Sequence, residues 1–158
     1  MEDITIRKAE LKDIELVARN HALMFEEMFS LENKILEEDK FNMLVESTVS
    51  KLTQELPKGI CTAWVVENCG KVIASGGLTQ VSMTASPMVS NYIYAYLHSI
   101  YTDKDCRGRG CAKLILSKAE EFCRETGIQR VLLIASDAGR PIYESIGYKE
   151  TPFHYKEV

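Results

Sequence analysis

The sequence predicts an α/β protein with a mixed, mostly antiparallel central sheet flanked by about four helices. Three observations carry this expectation. Two segments near the start repeat apolar residues at helical spacing. The middle of the chain changes to β-branched and aromatic runs joined by a tight turn. The last third then alternates strand, helix, strand and short helix. With 158 residues, 46% of them hydrophobic, the chain suits one domain over residues 1–158 with a substantial core.

"DITIRKA" alternates Ile4 and Ile6 with polar neighbours and reads as a short strand. Leu11, Ile14, Val17, Ala18, Met24, Phe25 and Met28 then recur at helical spacing, giving a helix to about Phe29. A second helix is expected from about Glu32 to Leu56, with Phe41, Leu44, Val45, Thr48 and Leu52 on one face. Pro57-Lys58-Gly59 stops it, and the acidic run "EEDK" is read as a solvated face. "ICTAWVVEN" and "KVIASGGLTQV", joined by Cys69-Gly70, form a hairpin. After the polar loop "SMTASPMVSN" comes the strand "YIYAYLHSIYT". Ala112, Ile115, Ala119, Phe122 and Cys123 make the face of a helix stopped by Gly127. "VLLIAS" is an apolar run expected as a strand covered on both faces. "RPIYESIGY" reads as a short helix closed by Gly147, and "KETPFHYKEV" as a strand-like end.

The net charge of −4 exerts no general attraction for nucleic acid or anionic membrane. No run approaches the roughly 20 apolar residues of a membrane span, and "MEDITIRKAE" lacks a signal-peptide core, so a cytoplasmic location is the default expectation. The cysteines at 61, 69, 106, 111 and 123 contain no CxxC pair and are expected to be reduced thiols; no metal is expected.

"DCRGRGCAKLI" places two arginines and two glycines where an apolar helical pattern begins. Glycine weakens a helix, and a cation at its first turn opposes the helix dipole. Both become favourable if an anion sits there, because a helix start presents unpaired N–H groups and partial positive charge. Gly108 and Gly110 let phosphate oxygens reach the main chain, and Arg107 and Arg109 add charged donors. A surface loop with ordinary basic residues is the plainer reading. The P-loop pattern GxxxxGK[ST] is absent, and Lys113 stands where a dinucleotide fingerprint needs its third glycine.

"RGRGCA", Arg107 to Ala112, resembles the [RQ]-x-x-G-x-[GA] signature of the GCN5-related N-acetyltransferase (GNAT) superfamily. "PIYESIGY", Pro141 to Tyr148, is similar to that superfamily's later motif, a tyrosine on a short helix followed by Gly and an aromatic. The order of elements fits over nearly the whole chain. The resemblance implies acetyl-coenzyme A as co-substrate, its pyrophosphate on the amides of Arg107, Gly108, Arg109, Gly110, Cys111 and Ala112. It also implies a bulge in the preceding strand that opens a gap for the pantetheine arm. Ile100 and Thr102 are the candidates for main-chain contacts there, with Tyr101 between them.

Transfer to an amine needs a neutral amine, a polarised thioester carbonyl and a proton for the departing thiolate. Tyr143 matches the superfamily's general acid, since a hydroxyl with a pKa near ~10 is protonated at neutral pH; the alternative is a packing aromatic. Relatives often carry a glutamate on the strand corresponding to "YAYLHSIYT"; here His98 is its one conventional base, and a structural histidine is the competing reading. Tyr96 and Tyr101 are further candidates, as holders of a water chain. His21 and His154 lie outside the motifs and are read as structural or exposed. Ser136 stands where relatives often carry Asn and is the candidate to hydrogen-bond the pantetheine; Arg140 either holds a further phosphate or caps the surface. Cys111 at a helix start invites an acyl-enzyme, but bound pyrophosphate there opposes a thiolate, so direct transfer in a ternary complex is expected. The expected acceptor is a primary amine of a small molecule or peptide. Its pocket is expected between the two early helices and "QVSMTASPMVSN", and the short C-terminal segment suggests a homodimer. A non-catalytic acetyl-coenzyme A sensor on the same fold is the alternative function.

Overall fold

The structure is a computed structural model describing residues 4–158, so the Asp3 end of the expected first strand lies outside it. Its sheet follows chain order: β1 (Ile4–Lys8), β2 (Cys61–Asn68), β3 (Lys71–Ser82), β4 (Ile93–Thr102) and β5 (Val131–Leu133). β1 to β4 pair antiparallel, and β5 joins β4 in parallel. The β2–β3 hairpin turns on Cys69 and Gly70 at φ 50° and 77°. Two successive left-handed residues match the twist of the strands they join.

Four α-helices are present among the described residues: α1 (Ile14–Leu31), α2 (Glu38–Glu55), α3 (Cys111–Thr126) and α4 (Arg140–Ser145). Strand alternation sends neighbouring side chains to opposite faces. Val65 joins Ile14, Val17, Leu52 and Cys61 beneath α1 and α2. Trp64 joins Leu78, Ala95, Leu97, Leu116, Ala119 and Cys123 beneath α3. Tyr143 and Tyr148 pack against this second cluster, which places α4 on the α3 side. Gly76 and Gly77 on β3 are needed for close approach. A Cβ at Gly76 would lie 2.8 Å from Ile115 Cγ2, and one at Gly77 would lie 2.7 Å from His98 Cε1.

Three expectations are corrected. The second helix starts at Glu38, not Glu32, so the acidic Glu38 and Asp39 occupy its first turn, where the helix dipole favours negative charge. "VLLIAS" supplies a strand of only Val131–Leu133, half-buried, and Ile134 is 83% exposed. It is therefore not covered on both faces. "KETPFHYKEV" forms no strand, and Phe153 and Tyr155 are exposed. Strand propensity there finds no partner edge, and Pro152 lacks the amide a ladder requires.

Candidate active site

The site is built around an irregularity in β4. Ser75 lies opposite Tyr101 and Gly77 opposite His98, so three steps on β4 face two on β3, with one residue in excess. Ser99, within this bulge, has φ 59°, a left-handed value unusual for serine. The extra residue breaks the alternation. The side chains of His98 and Ser99 are hydrogen-bonded to each other and to groups on the α1 side, whereas Ile100 lies toward Ile115 on the α3 side. β5 pairs only with Ala95–Leu97. Among the described residues, no strand accompanies β4 on that edge from His98 to Thr102. Ile100, Tyr101 and Thr102 thus lie on a stretch where the two strands have parted.

Beyond β4 the chain makes a single 3-10 turn at Lys104–Cys106 and enters α3 through Gly108 and Gly110, at φ 76° and 82°. No atom lies within 4 Å of where a Cβ would stand on either glycine. α3 starts without a side-chain cap, so its first turn directs partial positive charge and amides outward. Arg107, Gly108, Arg109 and Gly110 are exposed, Ala112 is half-buried and Cys111 is buried. The Arg107 guanidinium donates to Glu27 Oε2 on α1 (2.6 Å) and to the Thr102 carbonyl (3.1 Å), and lies over the Tyr101 ring. Arg109 Nη2 donates to the Asp105 carbonyl at 3.5 Å. The loop is thereby tied to α1 and to the end of β4.

Ser136 shapes the entry to α4: its Oγ accepts the Gly139 N–H at 3.1 Å, and its carbonyl accepts the N–H of Gly139 and Arg140. Arg140 donates to Asp137 and Glu150 at 3.0 and 3.1 Å. Tyr143 meets Tyr148 edge-on, ring centroids 5.8 Å apart. Burial raises the Tyr143 pKa, which keeps the hydroxyl a proton donor at neutral pH.

His98 is bound at both ring nitrogens, Nε2 to Thr79 Oγ1 (2.8 Å) and Nδ1 to Ser99 Oγ (2.9 Å). Ser99 Oγ also meets His21 Nδ1 of α1 at 2.8 Å. Burial, then the nearby charge of Lys51 and of His21, lowers His98 to about 4, so it is neutral at pH 7. Its ring stacks on Tyr96. His154 is exposed in the C-terminal segment. A cavity of about 440 Å³ between α1 and α2, lined by Glu15, Arg19, Val45, Glu46, Val49 and Ser50, includes none of these residues.

Sequence reasoning missed His21, Ser99, Thr79 and Glu27. His21 and Ser99 are 78 positions apart, Glu27 and Arg107 80, and no local motif links them. The one available signal was the adjacency of His98 and Ser99, which on a regular strand would face opposite sides.

A bulged strand parting from its parallel neighbour, followed by a glycine-bearing helix start, defines an acetyltransferase architecture. The family model for the GNAT acetyltransferase domain matches residues 30–157, and the chain belongs to that family. Its structure is similar to that of a GCN5-related N-acetyltransferase from Ralstonia eutropha JMP134, with 25% identity over 98% of both chains and a TM-score of 0.88. It also shares its fold with a predicted acetyltransferase with acetyl-CoA from Clostridium acetobutylicum (21% identity, 98% of this chain and 96% of the other, TM-score 0.83). The same holds for the glucosamine-6-phosphate N-acetyltransferase of Arabidopsis thaliana, with 16% identity over 99% of both chains and a TM-score of 0.71. The fold and family support acyl transfer, and no described helix is long and apolar enough to cross a membrane.

Proposed function

We propose that the chain, as one domain, transfers an acetyl group from acetyl-coenzyme A to a primary amine of a small molecule or peptide. The observation that carries this is the continuity of two features: the parted edge of β4 at Ile100–Thr102 leads directly into the uncapped, glycine-bearing start of α3. The open space over Gly108 and Gly110 fits a pyrophosphate on the main chain of Arg107–Ala112. The edge amides of Ile100 and Thr102 would hold the pantetheine as an added strand does, with Tyr101 turned toward α1. Ser136 and Arg140 remain the further candidates for cofactor contacts, each engaged in the turn and ion pairs that shape the α4 entry.

In the reaction the amine nitrogen bonds to the acetyl carbon and the carbon–sulfur bond breaks. Tyr143 gives its proton to the leaving thiolate and is restored by the proton that the nitrogen sheds as the amide forms, and backbone N–H groups near the bulge stabilise the carbonyl oxygen. Cys111 is buried at the foot of α3, which supports direct attack over an acyl-enzyme. His98, bound at both nitrogens and weakened as a base, holds the bulge in place.

A thiol-release assay over a panel of amines, read beside calorimetric binding, tests the proposal. Turnover with at least one amine is expected; tight acetyl-coenzyme A binding without turnover on any would favour a sensor instead. Gly110→Val should weaken acetyl-coenzyme A binding in a folded protein, and unchanged affinity would exclude this pyrophosphate placement. Tyr143→Phe should retain affinity while the rate falls about 10²- to 10⁴-fold.

A further inference from the structure

His21 and Ser99 bring a second imidazole to the β4 bulge. The hydrogen-bonded series runs His21 Nδ1, Ser99 Oγ, His98 Nδ1, and His98 Nε2 to Thr79 Oγ1, at 2.8, 2.9 and 2.8 Å. Its members come from α1, β4 and β3, and no carboxylate takes part. The two histidines differ in one respect. Both nitrogens of His98 are occupied, whereas among the described residues His21 is bound through Nδ1 alone, its ring only half-buried and edge-on to Phe25.

We propose that His21 Nε2 is the general base that takes the proton from the acceptor ammonium, with Ser99, His98 and Thr79 as positioning residues that hold its tautomer. This rests on the acetyl-transfer reading above. With Nδ1–H donating to Ser99 Oγ, the Ser99 hydroxyl donates to His98 Nδ1, and His98 Nε2–H donates to Thr79 Oγ1. Each contact then has one proton, and the lone pair of His21 is left on Nε2. Proton uptake gives a His21 imidazolium whose Nδ1–H remains bound by Ser99, and the neutral amine is free to attack the acetyl carbon. The strained φ of Ser99 has a role in this arrangement: the bulge turns its hydroxyl to the same face as His98, between the two rings.

The titratable groups around this series are His98 of β4, which His21 reaches through Ser99, Tyr96 stacked on the His98 ring, Lys51 of α2, whose charge acts on His98 and which pairs with Glu55, and the Cys61 thiol of β2 beside Thr79. Burial lowers the His21 pKa, and protonated His21 cannot accept. In wild type, log(kcat/KM) should therefore rise through an apparent pKa below the usual ~6.5 of histidine and then level.

The test is the pH profile of wild type, His21→Gln and His98→Gln, each with two amines of different pKa, beside acetyl-coenzyme A affinity and melting temperature. The limb that stays in place when the amine is changed belongs to the enzyme. His21→Gln should abolish that limb and lower the plateau about 10²- to 10⁴-fold with affinity unchanged, and added imidazole should restore part of the rate to His21→Ala. His98→Gln should slow the reaction but keep the limb. Survival of the limb in His21→Gln, a rate loss matched by lost cofactor affinity or stability, or no rescue by imidazole would overturn the assignment. Absence of turnover by wild type on any amine would instead remove the acetyl-transfer reading, and this inference with it.

Discussion

Tyr148 carries a hydroxyl that is buried without a hydrogen-bond partner among the described residues, beside Tyr143 and Cys123. A buried donor left unpaired costs about 1–3 kcal/mol, so Tyr148→Phe should stabilise the protein toward urea by about 1 kcal/mol or more. A loss of stability would mean that the hydroxyl is satisfied in solution. Gly77→Ala should act in the opposite direction. Its Cβ would press on the His98 ring at 2.7 Å, which costs about 1–3 kcal/mol and displaces His98 from Thr79; equilibrium unfolding and the His98 ring resonances report both. Legibility in the sequence was divided along the same line. The glycine-bearing start of α3 at Gly108 and Gly110 and the short helix carrying Tyr143 were readable because local spacing marks them. The partners of His98 and Arg107 were not, because a hydrogen bond between α1 and β4 leaves no trace in the neighbours of either residue.

Among the elements, β1, β2 and the turn before α1 are braced by one arginine. Arg7 donates to Asp13 and to Glu67, each at 2.7 Å, and the Arg7 bond holds the Asp13 pKa below its ordinary value. A depressed carboxylate contributes stability that is complete above its unfolded pKa of ~3.9 and fades as pH falls through the folded value. Asp13→Asn should therefore cost about 1–3 kcal/mol near neutral pH, and its difference from wild type should shrink in acid; a difference independent of pH would refute the brace. Periodicity revealed α1, α3 and the hairpin because each buries a regular face. It overestimated β5 and the C-terminal segment, since an apolar or alternating run reports propensity without stating whether an edge waits to receive it. The β4 bulge was anticipated through family resemblance alone, because an inserted residue disturbs pairing without altering local composition.

For the whole molecule, a ligand that binds only the folded state adds stability by mass action, about 2.7 kcal/mol at one hundred times its Kd. Acetyl-coenzyme A should accordingly raise the melting temperature and slow amide exchange at Ile100 and Thr102; no change at these two amides would refute their contact with the pantetheine. The sheet order gives this stabilisation a kinetic direction. Every strand pairs with its neighbour in sequence, but β5 is held to β4 by only three residue pairs, whereas each other pairing has at least five. A pairing this short repays little of the loop-closure entropy it requires, so it forms late. A chain emerging from synthesis would thus pair β1 to β4 before the cleft exists, and the cleft would be the first part lost on unfolding. Acetyl-coenzyme A then acts on the exit from the native state and not on the approach to it: the refolding rate should be the same with and without it, and the unfolding rate should fall as its concentration rises.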